Sequence, residues 1–102
     1  MSDEQIVLVA RMRVRPDAVE KTKAAVLAVV EPSRAEEGCL NYDVHQAIDE
    51  PTVFVWHETW VNKAALDAHF AMPYFEALFA EVTHYMEEPT QITLSRMISS
   101  KA

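Results

Sequence analysis

The sequence is poorest in glycine and cysteine, with one of each, Gly38 and Cys39, among 102 residues. A single glycine excludes the phosphate-cradling loops of nucleotide sites, which need several glycines for the backbone to close on the phosphates. A single cysteine excludes an internal disulfide and a thiolate metal site. Nothing asks for an oxidising compartment, and a cytoplasmic location is expected. Long apolar runs are missing too. The longest, Ala24 to Val30, is seven residues between Lys23 and Glu31, against roughly 20 needed to cross a bilayer. The start, Met1-Ser2-Asp3-Glu4-Gln5, has neither the basic residues nor the apolar stretch of a secretory signal. Basic side chains are few: 9 Lys and Arg against 16 Asp and Glu leave a formal charge of −7. Such a surface repels phosphate backbones. Neither nucleic acid nor membrane is expected as a partner.

What remains is a chain 50% hydrophobic and 25% charged, the balance of one globular domain over residues 1–102. Ile6 to Val14 alternates, with Ile6, Leu8, Ala10, Met12 and Val14 on one face, and reads as a strand. Pro16 suits a first helical turn. Val19, Val26, Val29 and Val30 then recur at helical spacing, predicting a helix from Pro16 towards Glu37 that Pro32 bends or interrupts. Gly38 is expected as its left-handed C-terminal cap. Cys39 to Gln46 alternates as a second strand. Asp49-Glu50-Pro51 is a turn, and Thr52 to Trp60 is a third strand, closing a hairpin. Asn62 is a suitable N-cap for a helix carrying Leu66, His69 and Phe70. Pro73 restarts helix, with Phe75, Leu78, Phe79, Val82 and Met86 along one stripe. After Pro89 a last strand runs through Ile92, Leu94, Arg96 and Ile98.

The order β-α-β-β-α-β is that of the α+β ferredoxin-like arrangement, a four-stranded antiparallel sheet with helices on one face. Val7, Val9, Val53 and Val55 alternate with Leu8, Phe54 and Trp56, so the strands read as apolar on both faces. A second copy of the chain is expected to cover the face that the helices leave bare.

Chemistry is sparse. His45, His57, His69 and His84 show no paired spacing of metal ligands, and no metal site is expected. Cys39 has no base beside it and reads as inert. Glu36 and Glu37 read as a solvated helix end, with Arg34 in surface ion pairs. His69, three residues after Leu66, falls on the inward stripe of its helix. Glu58 shares strand parity with Phe54, Trp56 and Trp60, which makes it the expected carboxylate partner of His69. That pair serves equally as a structural tie between helix and sheet or as a catalytic couple. Trp56, Trp60, Tyr74 and Phe75 surround the same suspected pocket, either as core or as walls for a planar ring.

Four segments, Glu37-Gly38-Cys39-Leu40-Asn41-Tyr42, Phe54 to Glu58-Thr59-Trp60, Ala65-Leu66-Asp67-Ala68-His69 and Pro73-Tyr74-Phe75, occur in the order seen in the antibiotic biosynthesis monooxygenase family. The chain resembles that family in these segments, over most of its length. The resemblance implies a dimeric α+β barrel, a homodimer packed through its sheets, with a pocket between sheet and helices in each subunit. Members include quinol monooxygenases that use O2 without flavin or metal, haem degraders, and an isomerase of a phosphorylated dione. The haem degraders carry a helical Trp where His69 stands here, which argues against that activity. For the isomerase no clear basic cluster is visible; Arg11, Arg13 and Arg34 are the nearest candidates. The expected activity is thus cofactor-free oxidation of a quinol or polyphenolic ring by O2. In that reading His69 is the base, Glu58 orients it, and Trp56, Trp60, Tyr74 and Phe79 contact the substrate. The alternatives are a small-molecule-binding dimer without catalysis and an isomerase of a small reactive dione.

Overall fold

The computed structural model describes residues 4–99. Four strands, β1 (Ile6–Arg13), β2 (Cys39–Gln46), β3 (Val53–Trp60) and β4 (Gln91–Ser95), form one sheet in the order β2-β3-β1-β4. Every neighbouring pair is antiparallel. Four helices, α1 (Val19–Ala28), α2 (Val30–Arg34), α3 (Lys63–Phe70) and α4 (Pro73–Thr83), complete the ferredoxin-like fold. Among the described residues no helix is long and apolar enough to cross a membrane. The core lies between the helices and the sheet face carrying Leu8, Ala10, Met12, Tyr42, Phe54, Trp56 and Trp60.

Proline sets the helix boundaries. A 3-10 turn, Pro16–Ala18, leads into α1. The continuous helix expected from Pro16 to Glu37 is instead two, broken at Val29 (φ −101°, ψ 2°). Pro32 has no N–H to give the Ala28 carbonyl, so the chain restarts and places Pro32 in the first turn of α2, where that loss is harmless. Asn62 caps α3 as anticipated, its side chain accepting from the Ala65 N–H at 2.9 Å.

Gly38 is not a left-handed cap, since no residue among those described has positive φ. Its value is its missing side chain. A Cβ at this position would sit 2.3 Å from the Ala65 Cβ and 3.1 Å from a Val61 methyl. Only glycine lets the segment entering β2 run directly under α3.

Three further expectations change. A bulge between Cys39 and Asn41 breaks the alternation of β2, and Leu40 is left exposed. The last strand ends at Ser95, paired with Val7 next to the start of β1 at Ile6. Met97 and Ile98 therefore lie beyond the sheet, 63% and 91% exposed. The face away from the helices is mixed rather than apolar: Arg11, Arg13, Asn41, Asp43, His45 and His57 share it with Val7, Val9 and Val55. Arg13 reaches Glu50 at 3.2 Å, and Arg11 and Arg13 both approach Glu88. The larger uncovered apolar side chains lie on the helix-facing side of β4, where Ile92 and Leu94 are 53% and 45% exposed.

The close approach at Gly38 yields a direct test. Gly38→Ala is expected to destabilise the fold by about 1–3 kcal/mol through overpacking, seen as a lower urea midpoint at unchanged slope. Adding Ala65→Gly should restore part of the loss.

Candidate active site

Alternation along β3 points Phe54, Trp56, Glu58 and Trp60 at the helices. Glu58 is thereby placed mid-sheet, between Leu8 of β1 and Tyr42 of β2. Leu8, Tyr42, Trp56 and Glu58 floor a cavity of about 70 Å³. Phe70 of α3 and Phe75, Leu78, Phe79 and Val82 of α4 roof it, and Thr90 and Ile92 stand on the β4 side. Glu58 is the only ionisable carboxyl on the wall among the described residues, and Tyr42 the only phenol. Among the described residues no lysine or arginine lines it.

Glu58 is 4% exposed, and its Oε1 accepts a hydrogen bond from the Trp60 indole N–H at 2.9 Å. Loss of water raises its pKa to about 7, although the Trp60 hydrogen bond opposes the rise and the Glu36 charge adds to it. Burial next to Glu58 likewise pushes the Tyr42 phenol up to about 12. The site therefore pairs a carboxyl that changes charge near neutrality with a phenol that stays protonated.

His69 points inward, as its helical position requires, and is 1% exposed. Its partner is not the expected Glu58 but Glu36, whose Oε2 lies 2.8 Å from Nδ1. Tyr74 donates its phenolic hydrogen to the same Glu36 oxygen. Glu36 is thus no solvated helix end: its side chain is only 8% exposed. Rings enclose the imidazole, with Trp60, Phe75, Tyr42 and Phe70 centroids at 4.7, 5.1, 5.6 and 5.8 Å.

The residues expected to form one site are thus divided. Glu58, Trp56 and Phe79 lie on the cavity wall. His69, Trp60 and Tyr74 form a packed cluster behind it, sharing Tyr42, Phe70 and Phe75 with the cavity. Sequence reasoning missed Glu36 and Tyr42. Tyr42 had a usable signal, its shared parity with Val44 on a strand that must turn one face inward; Glu36, 33 positions from His69, had none. Arg11 and Arg13 belong to the opposite sheet face, and Arg34 is held by Asp43 and the Tyr42 carbonyl at 2.9 Å each. Cys39 is pushed up to about 11, chiefly by burial, so it is a protonated thiol at neutral pH. No three His, Cys, Asp or Glu side chains among the described residues gather as metal ligands would.

The raised Glu58 pKa makes stability depend on pH. Between the ordinary 4.5 and about 7 the folded state holds a proton that the unfolded chain has lost. Stability from this group is therefore full below about 4.5 and falls as pH rises through 7. Urea midpoints at pH 5 and pH 8 should show wild type weakening relative to Glu58→Gln, by on the order of 2–3 kcal/mol at most. A constant difference would mean that Glu58 titrates normally.

Comparison with known proteins agrees with this architecture. The profile of the antibiotic biosynthesis monooxygenase family matches residues 5–81. An uncharacterised protein of Synechocystis is 32% identical over 98% of this chain and 68% of its own length. A Mycobacterium tuberculosis protein, named provisionally as a monooxygenase, is 30% identical over 87% of each chain. Its solved structure superimposes with a TM-score of 0.90 over 97% of this chain and all of that one, at 28% identity. A Yersinia enterocolitica protein named as an isomerase of 4-hydroxy-5-phosphonooxypentane-2,3-dione is 31% identical over 85% of this chain and 91% of its own. Matched from the first strand into α4, the chain belongs to the antibiotic biosynthesis monooxygenase family.

Proposed function

We propose that the protein is a monooxygenase that oxidises a quinol or related polyphenolic ring with O2, the substrate itself supplying the electrons. The observation that carries this reading is a single buried carboxyl, Glu58, on the wall of an apolar, ring-lined cavity. Glu58 takes the phenolic proton, for which a group titrating near 7 is well matched at neutral pH. The resulting anion passes one electron to O2, and the radical pair joins at a ring carbon bearing hydrogen. The peroxide loses water to leave a carbonyl, so one oxygen enters the ring and the other leaves as water. Trp56, Phe75 and Phe79 hold the ring and exclude solvent. Tyr42 keeps its hydrogen and donates it to the oxygen that becomes negative.

The phosphorylated substrate named for the Yersinia relative fits less well. Among the described residues, a phosphate in this cavity would meet Glu58 and no cation on the wall. We also propose that two chains associate in solution, covering Ile92 and Leu94, both exposed apolar side chains on the helix-facing side of β4. That cover would close the β4 side of the cavity, where Ile92 stands.

Oxygen consumption with a panel of reduced quinols, after metal removal and above the spontaneous rate, tests the activity. Glu58→Gln should lower kcat/KM about 10²–10⁴-fold. The wild-type value should climb with pH as Glu58 ionises near 7. Binding without accelerated uptake would leave a ligand-binding protein, and product without oxygen use an isomerase. For association, light scattering should give twice the chain mass for wild type and a lower mass for Leu94→Glu.

A further inference from the structure

The cluster behind the cavity has a feature that packing alone does not require. His69 is buried, yet its Nε2 has no hydrogen-bond partner. Glu36 shows how this arises. A carboxylate only accepts, and its Oε2 receives the Tyr74 hydroxyl as well as the contact with Nδ1. The hydrogen between His69 and Glu36 must therefore sit on Nδ1. In a neutral imidazole the other nitrogen is then bare, and it faces away from Glu36 into the surrounding rings.

We infer that Glu36 is a positioning residue, fixing His69 as the Nδ1–H tautomer so that Nε2 is kept as a free hydrogen-bond acceptor behind the cavity wall. Three of the rings around His69, Tyr42, Phe70 and Phe75, also line the cavity. His69 itself is not on the cavity wall, so it acts on a bound ring through this layer: an imidazole fixed by Glu36 holds Tyr42, Phe70 and Phe75, and with them the face that a quinol would meet. This last step rests on the oxygenase reading, whereas the tautomer does not. Tyr74 supports the arrangement by holding the Glu36 oxygen, and the carboxylate keeps the Tyr74 phenol itself protonated, its pKa raised by burial and by Glu36.

Nitrogen-15 NMR of the imidazole at pH 7.5 tests the tautomer without any substrate. In the wild-type protein His69 should show a protonated Nδ1 and a bare Nε2. A proton on Nε2 in wild type, alone or together with Nδ1, would overturn the inference. Glu36→Leu removes the acceptor and should let the proton move to Nε2; an unchanged pattern in that variant counts against Glu36, whereas Glu36→Gln, whose carbonyl oxygen can stand where Oε2 does, should keep Nδ1–H. Should Glu36→Leu not fold, the wild-type spectrum and Tyr74→Phe, which should keep Nδ1–H, still decide. In oxygen uptake, Glu36→Leu should lower kcat about tenfold or more, and have no further effect once His69→Gln is present. Additive losses would mean that Glu36 does not act through His69. If wild type consumes no oxygen with any quinol, the functional reading fails while the NMR result still stands for Glu36.

Discussion

Everything in the site depends on burying a carboxyl in the middle of the sheet. Alternation along β3 turns Glu58 to the same side as Phe54, Trp56 and Trp60. Leu8 and Tyr42 flank it on the neighbouring strands. Among the described residues no cation compensates, and one indole N–H is its hydrogen-bond donor. Burying a carboxylate in this way costs several kcal/mol, a cost that the group lowers by holding its proton until pH 7 or so. A glutamine or leucine would be a cheaper occupant. Retaining the acid makes sense where proton transfer is needed, since the desolvation that weakens the fold is also what brings the carboxyl's pKa towards neutrality.

The second buried carboxyl is placed by different means. Glu36 follows α2, and His69 and Tyr74 come from α3 and the start of α4. What brings these segments together is the absence of a side chain at Gly38, which lets Ala65 sit against the backbone two residues after Glu36. The Asn62 cap fixes where α3 begins, so the faces of Ala65, Leu66 and His69 follow from the 3.6-residue period. A methyl group at residue 38 would push against α3 one turn from His69. Backbone packing and site geometry are therefore one constraint. A loss of activity after disturbing Gly38 would be traceable to a displaced imidazole.

Local physics explains how far the sequence could be read. Strand alternation, the Asn62 cap and the prolines act over a few residues, and they led to the element order, the fold class and the inward side of both His69 and Glu58. Pro32 signalled a disturbed helix, although the break falls at Val29, next to the Ala28 carbonyl that Pro32 has no N–H to meet. Gly38 was marked as special for the wrong reason. A left-handed cap is a local property, but the close approach to Ala65 depends on a helix that begins 25 residues later. The same limit separates His69 from its partner. Parity favoured Glu58 because both residues face inward, and parity says nothing of lateral position within that face. The split between cavity wall and rear cluster is a lateral distinction, set by how α3 and α4 cross the sheet.

The cavity itself follows from incomplete cover. Four strands at roughly 4.8 Å spacing make a sheet about 15–20 Å wide, and helices of about 10–12 Å diameter cannot cover it evenly when four short ones must share it. Over β2, β3 and β1 the side chains close, and Tyr42, Phe54 and Trp60 have almost no exposed surface. Towards β4 they do not: every described residue of that strand is exposed, and Phe79 is 48% exposed. The hollow lies at this transition, between a sealed core and an uncovered strand. Such a position suits a site for an apolar ring. The sealed side keeps Glu58 dry enough to titrate near neutrality, and the uncovered side leaves a route to it from solvent. Better packing over β4 would remove the exposed apolar surface and close that route, so the weakness in the core and the access to the carboxyl have one origin.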